Sequence, residues 1–413
     1  MHQTFRWNGL AISVVGSFDR HNYGDLLFPL IVEEMVKQSG IGAELAYYAT
    51  TRASMSAYGS KDAKSIRDLF GKPAAGHELV LVAGGEVLPA KWSLIVSYLV
   101  GALPARMINR SSSLVGDRLS SLFFSRLMGS RSSLPFVFAP SDFARPVRVA
   151  YNAVGGSHVK DESAYVRAAL LSKLREAAYV SVRDQETLDF LRTNGIRGVK
   201  LAPDSAILVS QLYPLERLQG LITSRVRALC EAYPQGYICV QAGAAYSLQH
   251  AEEFRASIER LKRVTGLAVV VFAIGRATGH SDQLSFDIFR SDGQCPSGVP
   301  TVISDCDGVF DLMCLIAQSK LYVGTSLHGA ITAASYGVPV LALCPSRVNK
   351  LQAFLRTWVD SDGYELAEFS GIDAAFDRLW AKRREGISAR IIAAQQAARE
   401  NFRLMLQPEP YAP

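Results

Sequence analysis

Thr325, Ser326, His328 and Gly329 stand together in the stretch LYVGTSLHGAITAASYGVPVLALC (residues 321–344), between a short apolar run and an Ala-rich segment of helical composition. A polar turn where a strand gives way to a helix combines free backbone N–H groups, the positive end of the helix dipole and side-chain donors. An anion is its natural ligand. In the competing reading Thr325 or Ser326 only caps the helix and His328 packs beside it. Other ionisable residues follow apolar runs in the same way: Asp25, with Asn22 ahead of it, after AISVV; Glu86 after ELVLVA and the pair Gly84-Gly85; Arg183 after YVSV; Asp204 after VKLA. Carboxylates and a histidine can move protons, a guanidinium can hold a carboxylate or phosphate, and paired glycines let a backbone approach a ligand closely. The plainer readings are a helix cap for Asp25, a solvated turn residue for Glu86, and an ion pair of Arg183 with Asp184 or Asp204. Because these residues follow strands and do not lie on a core face, their removal is expected to spare the fold.

Such residues need elements that deliver them to one edge. Apolar runs at 11–15, 44–48, 78–83, 136–139, 147–151, 178–182 and 199–202 read as strands, and segments such as 26–37 and 186–193 have helical periodicity. A charged, proline-interrupted stretch over 206–235 separates them from a second alternation. That second set has strands at 237–241, 267–274 and 301–304, the 321–344 unit, and helices at 249–264, 310–318 and from 351 onward. Helices at 372–382 and 388–405 close the chain. The expected fold class is α/β, with two Rossmann-like domains facing a cleft: an N-terminal domain over 1–210, a C-terminal domain over 211–385, and a helix and tail over 386–413. The first loop lacks GxGxxG, so there is no dinucleotide fingerprint.

At 413 residues the chain exceeds one ordinary core, which agrees with two domains. No apolar stretch is long enough to span a bilayer, and the N-terminus has no secretory pattern, so a cytoplasmic protein is expected. The six cysteines are scattered without a CxxC pair or Cys/His cluster, and neither zinc nor a disulfide framework is expected. The net charge of +6 is local: residues 91–150 hold eight basic residues against Asp117 and Asp142, and the remainder is balanced. Within it, 92–134 mixes short apolar runs with arginines and serines. One reading is an amphipathic surface that meets anionic lipid at the membrane periphery; the other is helices packed on the sheet with exposed arginines. No nucleic-acid partner is expected.

The architecture is similar to that of GT-B glycosyltransferases, and the motifs carry a narrower resemblance. N-Y-G-D, A-G-G-E, S-V-R-D, A-P-D-S, and G-T-S-L-H-G with G-V-P-V-L-A-L, followed by Lys350, resemble in order and spacing the polysaccharide pyruvyl transferase family over about residues 13–355. The resemblance implies transfer of the enolpyruvyl unit of phosphoenolpyruvate onto a sugar of a polysaccharide or lipid-linked oligosaccharide as a ketal, with release of phosphate and without a metal or cofactor. It implies an acceptor side in the first domain and a donor site in the second, where His328 acts on the donor with Ser326, Arg347 and Lys350 nearby and with Arg183 across the interdomain cleft. Asp25 or Glu86 would serve as base. Several relatives have Arg where this chain has Ser326. The alternatives are a GT-B nucleotide-sugar glycosyltransferase and a non-catalytic anion-binding member of the fold.

Overall fold

The computed structural model describes residues 10–73, 77–276, 282–290, 298–344, 350–383 and 386–407. Two parallel sheets, each flanked by helices, make up the chain. The first contains β1 (Ala11–Val15), β2 (Glu44–Ala49), β3 (Lys64–Ser65), β4 (Glu78–Val82), β5 (Arg148–Val154), β6 (Tyr179–Val182) and β7 (Lys200–Leu201), in the order β3-β2-β1-β4-β5-β6-β7. The second contains β8 (Ile238–Gln241), β9 (Val269–Phe272), β10 (Thr301–Ser304), β11 (Leu321–Gly324), β12 (Val340–Leu343) and β13 (Tyr364–Ala367), in the order β10-β9-β8-β11-β12-β13. β4, β8, β9, β11 and β12 are buried at every position, because helices cover both faces of a parallel sheet. Their continuous apolar runs, rather than alternating ones, follow from that. The protein therefore has the GT-B-like arrangement of two Rossmann-like units.

In each sheet the winding reverses between two neighbouring strands, β1 and β4 in the first and β8 and β11 in the second. Loops diverge there, and the carboxyl ends of those strands open a crevice. Asp25 and Glu86 follow β1 and β4; Gln241 ends β8, and His328 follows β11.

The two units are joined by backbone at the floor of the cleft. The Tyr23 N–H donates to the Ile274 carbonyl at 3.1 Å, and the Arg276 N–H donates to the His21 carbonyl at 3.0 Å. Beside this bridge the Tyr23 hydroxyl meets Thr332 Oγ1 at 3.0 Å. The closing helix, Ala389–Met405, returns to the first sheet: the Asn401 amide donates to Asn152 Oδ1 at 2.8 Å and accepts from the Tyr179 hydroxyl at 2.8 Å. Its Ile391, Ala394 and Phe402 belong to the same buried cluster as Ile12 and Val14 from the first sheet and Val270 and Phe272 from the second.

Three details differ from the sequence reading. Residues 136–139 are buried but form no strand; the Tyr151 hydroxyl accepts from the Phe138 N–H at 2.7 Å and donates to the Phe138 carbonyl at 2.6 Å, taking the place of a ladder. The edge strands β3 and β13 are short and half exposed, and their composition does not announce them. Within 92–134 lie a helix Trp92–Tyr98 and a longer one, Ala102–Leu127, which is broken at Gly116, where φ is 79°. Trp92 anchors the pair by donating to the Ser132 carbonyl at 3.0 Å.

Candidate active site

The side chain of His328 has a seat made for it. The helix Leu327–Ser335 begins at Ser326, whose hydroxyl accepts the Gly329 N–H at 3.2 Å, so His328 falls in the first turn at the cleft. Its ring lies against Gly24 of the opposite domain: a Cβ at that position would sit 1.8 Å from Nδ1. The Phe28 ring meets it edge-on at 5.4 Å. Gly24 is in the first turn of the helix Tyr23–Ser39, where alanine would ordinarily favour the helix by about 1 kcal/mol. The new methyl must displace a packed ring, so Gly24→Ala is expected to lose about 1–2 kcal/mol despite that gain and to lower kcat about 100-fold, since displacing a catalytic group by about 1 Å has that effect. A melting curve beside a turnover assay checks both halves.

Behind His328 runs a chain of charges. Asp204, fully buried, receives the Arg183 guanidinium at 2.7 Å and the Ala206 N–H at 3.0 Å, and its Oδ2 lies 3.5 Å from His328 Nε2. That last contact suits an ion pair when the imidazole is charged, without forming a directional hydrogen bond. The other end of Arg183 donates to Glu86 Oε2 at 2.6 Å. Burial alone would raise the Asp204 carboxyl, but His328 first, then Arg183 and the Ala206 N–H, hold it well below the usual carboxylate range. Burial likewise opposes the charge on Arg183, and Glu86 and Asp204 more than restore it. Gly155 makes this approach feasible, since a Cβ there would lie 2.3 Å from Glu86 Oε2. Lys350 starts the helix Lys350–Trp358. It is exposed, and crowding by surrounding protein, together with the nearby Arg183, lowers its ammonium pKa against the pull of Glu86, Asp25 and Asp204.

The sequence-derived residues divide accordingly. His328, Arg183, Glu86 and Asp204 are linked, with Lys350 in the same field and lining one recess with Arg183, Ser157 and Leu327. Asp25 is close by, 3.5 Å from Arg20, and its Oδ1 would be 3.7 Å from a Cβ on Gly85. Other expectations change. The helix cap is Asn22, whose Oδ1 accepts from the Gly24 N–H at 3.2 Å, so Asp25 is not the cap and Asn22 has its carbonyl oxygen committed. Arg183, 5% exposed with both terminal nitrogens committed, positions carboxylates and does not present an open guanidinium, and Asp204 lies beneath the site, out of a substrate's reach. Gly84, at φ 138°, makes room for Phe28, which a Cβ would meet at 2.6 Å, and Gly329 makes room for Tyr322. Thr325 spends its hydroxyl on the Gly243 N–H at 2.9 Å. Arg347 lies outside the described residues.

Sequence reasoning missed Gly24, Phe28, Gln241 and Asp282. Gln241 accepts the Ser326 N–H at 3.0 Å and donates to Asp282 Oδ2 at 2.8 Å, tying the His328 turn to the end of β8. The Asp282 carboxyl also accepts from the Ile274 and Gly275 N–H groups. Burial outweighs those bonds and pushes it from 3.8 up to about 6. The folded chain thus binds this proton more tightly than the unfolded one. The resulting stabilisation is full below the ordinary value and is lost as pH rises through about 6. Between pH 4 and pH 7 wild type is expected to lose up to about 3 kcal/mol relative to Asp282→Asn, which cannot ionise; denaturant titrations of both at the two pH values read the difference.

What remains available in the cleft is the important quantity. Of the first amides of the His328 helix, Ser326 and Gly329 are used, while Leu327 N–H and His328 N–H have no partner among the described residues. Two buried side-chain atoms from opposite domains, His328 Nε2 and Glu86 Oε1, also lack a hydrogen bond among the described residues. Unused helix amides, an imidazole and a carboxylate thus lie near the switch points of both sheets, with Nε2 turned toward Asp204 and both side-chain atoms shielded from solvent.

The fold is similar to UDP-GlcNAc 2-epimerase from Methanocaldococcus jannaschii, at 12% identity and a TM-score of 0.57 over 96% of this chain and 99% of that one. It is also similar to UDP-GlcNAc 2-epimerase from Neisseria meningitidis, at 11% identity and a TM-score of 0.52 over 97% and 98%, and to that from Rickettsia bellii, at 9%, 0.54, and 96% of each. Likeness at these identities concerns the fold alone. No curated protein matches the chain at a significant level. Residues 22–344 match the family model of polysaccharide pyruvyl transferases, a span that opens at the Asn22 cap, takes in Glu86, Arg183, Asp204 and His328, and closes at the end of β12. With most of its length and all but Lys350 of its linked charges inside that match, the chain belongs to the polysaccharide pyruvyl transferase family of transferases.

Proposed function

We propose that the cleft transfers the enolpyruvyl unit of phosphoenolpyruvate to a sugar of a polysaccharide or lipid-linked oligosaccharide. The observation that carries this reading is a helix N-terminus whose Leu327 and His328 N–H groups have no partner among the described residues, with Lys350 lining a recess beside Leu327 and Arg183 and feeling the charge of Glu86. A phosphate is held by helix amides and an ammonium, and a second anionic group suits the same cationic corner.

In the chemistry, a proton reaches the methylene carbon as one sugar hydroxyl adds to the adjacent carbon and gives up its own proton. The bond from that carbon to the phosphate oxygen then breaks, and phosphate leaves with the bonding electrons. A second hydroxyl closes the ketal, and its proton departs with phosphate. His328 is placed to donate toward the leaving phosphate, with Asp204 behind it stabilising the imidazolium. Glu86, partly exposed with Oε2 on Arg183, is the carboxylate assigned to take the hydroxyl proton, with Asp25 near the same glycine turn as the alternative base.

The second reading is a nucleotide-sugar site, favoured by the likeness in fold to UDP-GlcNAc 2-epimerases. Against it, β12 runs on into CPSRVNK, which holds no carboxylate for a ribose. Thermal-shift titration separates the two. Stabilisation by phosphoenolpyruvate is expected, about 3 kcal/mol at 100 times its Kd; stabilisation by UDP-GlcNAc alone would reverse the order.

A further inference from the structure

The helix Ala102–Leu127 is turned inside out. In its second half, after the break at Gly116, the residues buried against the protein are Ser120, Ser121 and Ser125 with Phe124, while Leu119, Leu122, Phe123 and Leu127 face solvent. In its first half Leu103, Met107 and Leu114, spaced four and seven residues apart on one stripe, are exposed by 72% or more, while Ile108 packs inward. A helix formed only to cover the sheet would bury leucines and expose serines.

Arg106 and Arg110 on the first half and Arg118 and Arg126 on the second are also exposed, and none makes an ion pair or hydrogen bond among the described residues. The one carboxylate on the helix is already neutralised: Asp117 meets Lys91 at 3.3 Å and accepts the Ser163 hydroxyl at 2.5 Å. From this we infer that the outward face of Ala102–Leu127 docks on an anionic lipid bilayer, its leucines and Phe123 at the headgroup boundary and its arginines on lipid phosphates. The inference does not depend on which substrate the cleft takes.

Charge complementarity selects this occupant. A second copy of the chain would bring four arginines against four, and the core of a protein interface is depleted in charge, whereas apolar side chains interleaved with arginines match the boundary between acyl chains and phosphates. No described helix is long and apolar enough to cross a membrane, which fits a helix lying on the surface. The face is also coupled to the cleft. Tyr98, at the end of the helix packed beside it, lies under the Arg20 guanidinium at 5.1 Å, and Arg20 pairs with Asp25.

Co-sedimentation of the full chain with phosphatidylcholine vesicles, with and without about one-third phosphatidylglycerol, tests this at about 0.1 M and about 1 M salt. At low salt the expected result is at least about tenfold more protein bound to the anionic vesicles, lost at high salt. Two double variants, Leu119→Ser with Phe123→Ser and Arg118→Glu with Arg126→Glu, should each reduce binding about tenfold with unchanged melting temperature, because all four side chains are exposed. Failure to bind anionic vesicles at low salt, equal binding to both vesicle types, or a concentration-dependent dimer in light scattering that the Leu119/Phe123 variant abolishes would each overturn it.

Discussion

His328→Ala is expected to reduce turnover about 1000-fold while leaving the chain folded, because one side chain supplies both a mobile proton and a charge at the leaving group. Its surroundings exist to fix it: Gly24 leaves the space, Phe28 sets the ring plane, and Asp204 lies behind Nε2. Of these only Asp204 draws on His328, which contributes to holding its carboxyl ionised. Asp204 keeps Arg183 and the Ala206 N–H, and Phe28 stays in the core. The melting temperature should therefore move by only a few degrees, the shift that about 1 kcal/mol produces in a chain of this size. Phosphate release by the two proteins under identical conditions gives the answer, and near-native turnover by the variant would move the reacting centre elsewhere in the cleft.

Arg183→Ala is expected to behave in the opposite manner, as a folding defect. Without the guanidinium, Asp204 is a carboxylate with no exposure and Glu86 loses its only ion pair among the described residues, so a loss of about 3–5 kcal/mol follows. This reverses the sequence-based expectation that a residue at a strand end can be removed without harm to the fold. Adding Asp204→Asn to Arg183→Ala should recover part of the loss, since the buried charge goes with it, and chemical denaturation of the four proteins in that cycle measures the coupling. Acid gives a second check. The Asp204 carboxyl is held low in the wild type, so its contribution is present above the ordinary carboxylate range and is lost only at strongly acid pH. With Arg183 gone that loss should begin at higher pH.

The parts of the molecule that could be read in the sequence are those dictated by local chemistry. Continuous apolar runs marked the buried parallel strands, and polar groups following them marked the crevice, because both follow from the rules of a doubly wound sheet. Glu86, Arg183, Asp204 and His328, singled out by motif order, are linked in the fold by contacts, and their roles are part of the proposal. What was illegible depends on distance across the chain. Gly24 and His328 are neighbours only because the two domains face one another, and nothing near Gly24 announces that its missing Cβ makes room for an imidazole. Arg183 reads as a ligand-binding cation until its two carboxylate partners, from the ends of β4 and β7, are seen to neutralise it. Gln241 and Asp282 escaped notice for the same reason, as one ends a strand and the other enters from a loop forty-one residues later to hold the Ser326 turn. The inverted face of Ala102–Leu127 was visible only as a mixture of leucine, serine and arginine; the direction in which each points required the packing against the sheet.

The most direct measurement of the central claim is simultaneous detection of phosphate release and ketal formation when the protein is incubated with carbon-13-labelled phosphoenolpyruvate and a lipid-linked or polymeric glycan fraction. The account predicts one phosphate released per pyruvate ketal formed, with both signals lost in His328→Ala. Phosphate release without a ketal, or no consumption of phosphoenolpyruvate alongside turnover of a UDP-sugar, would contradict it.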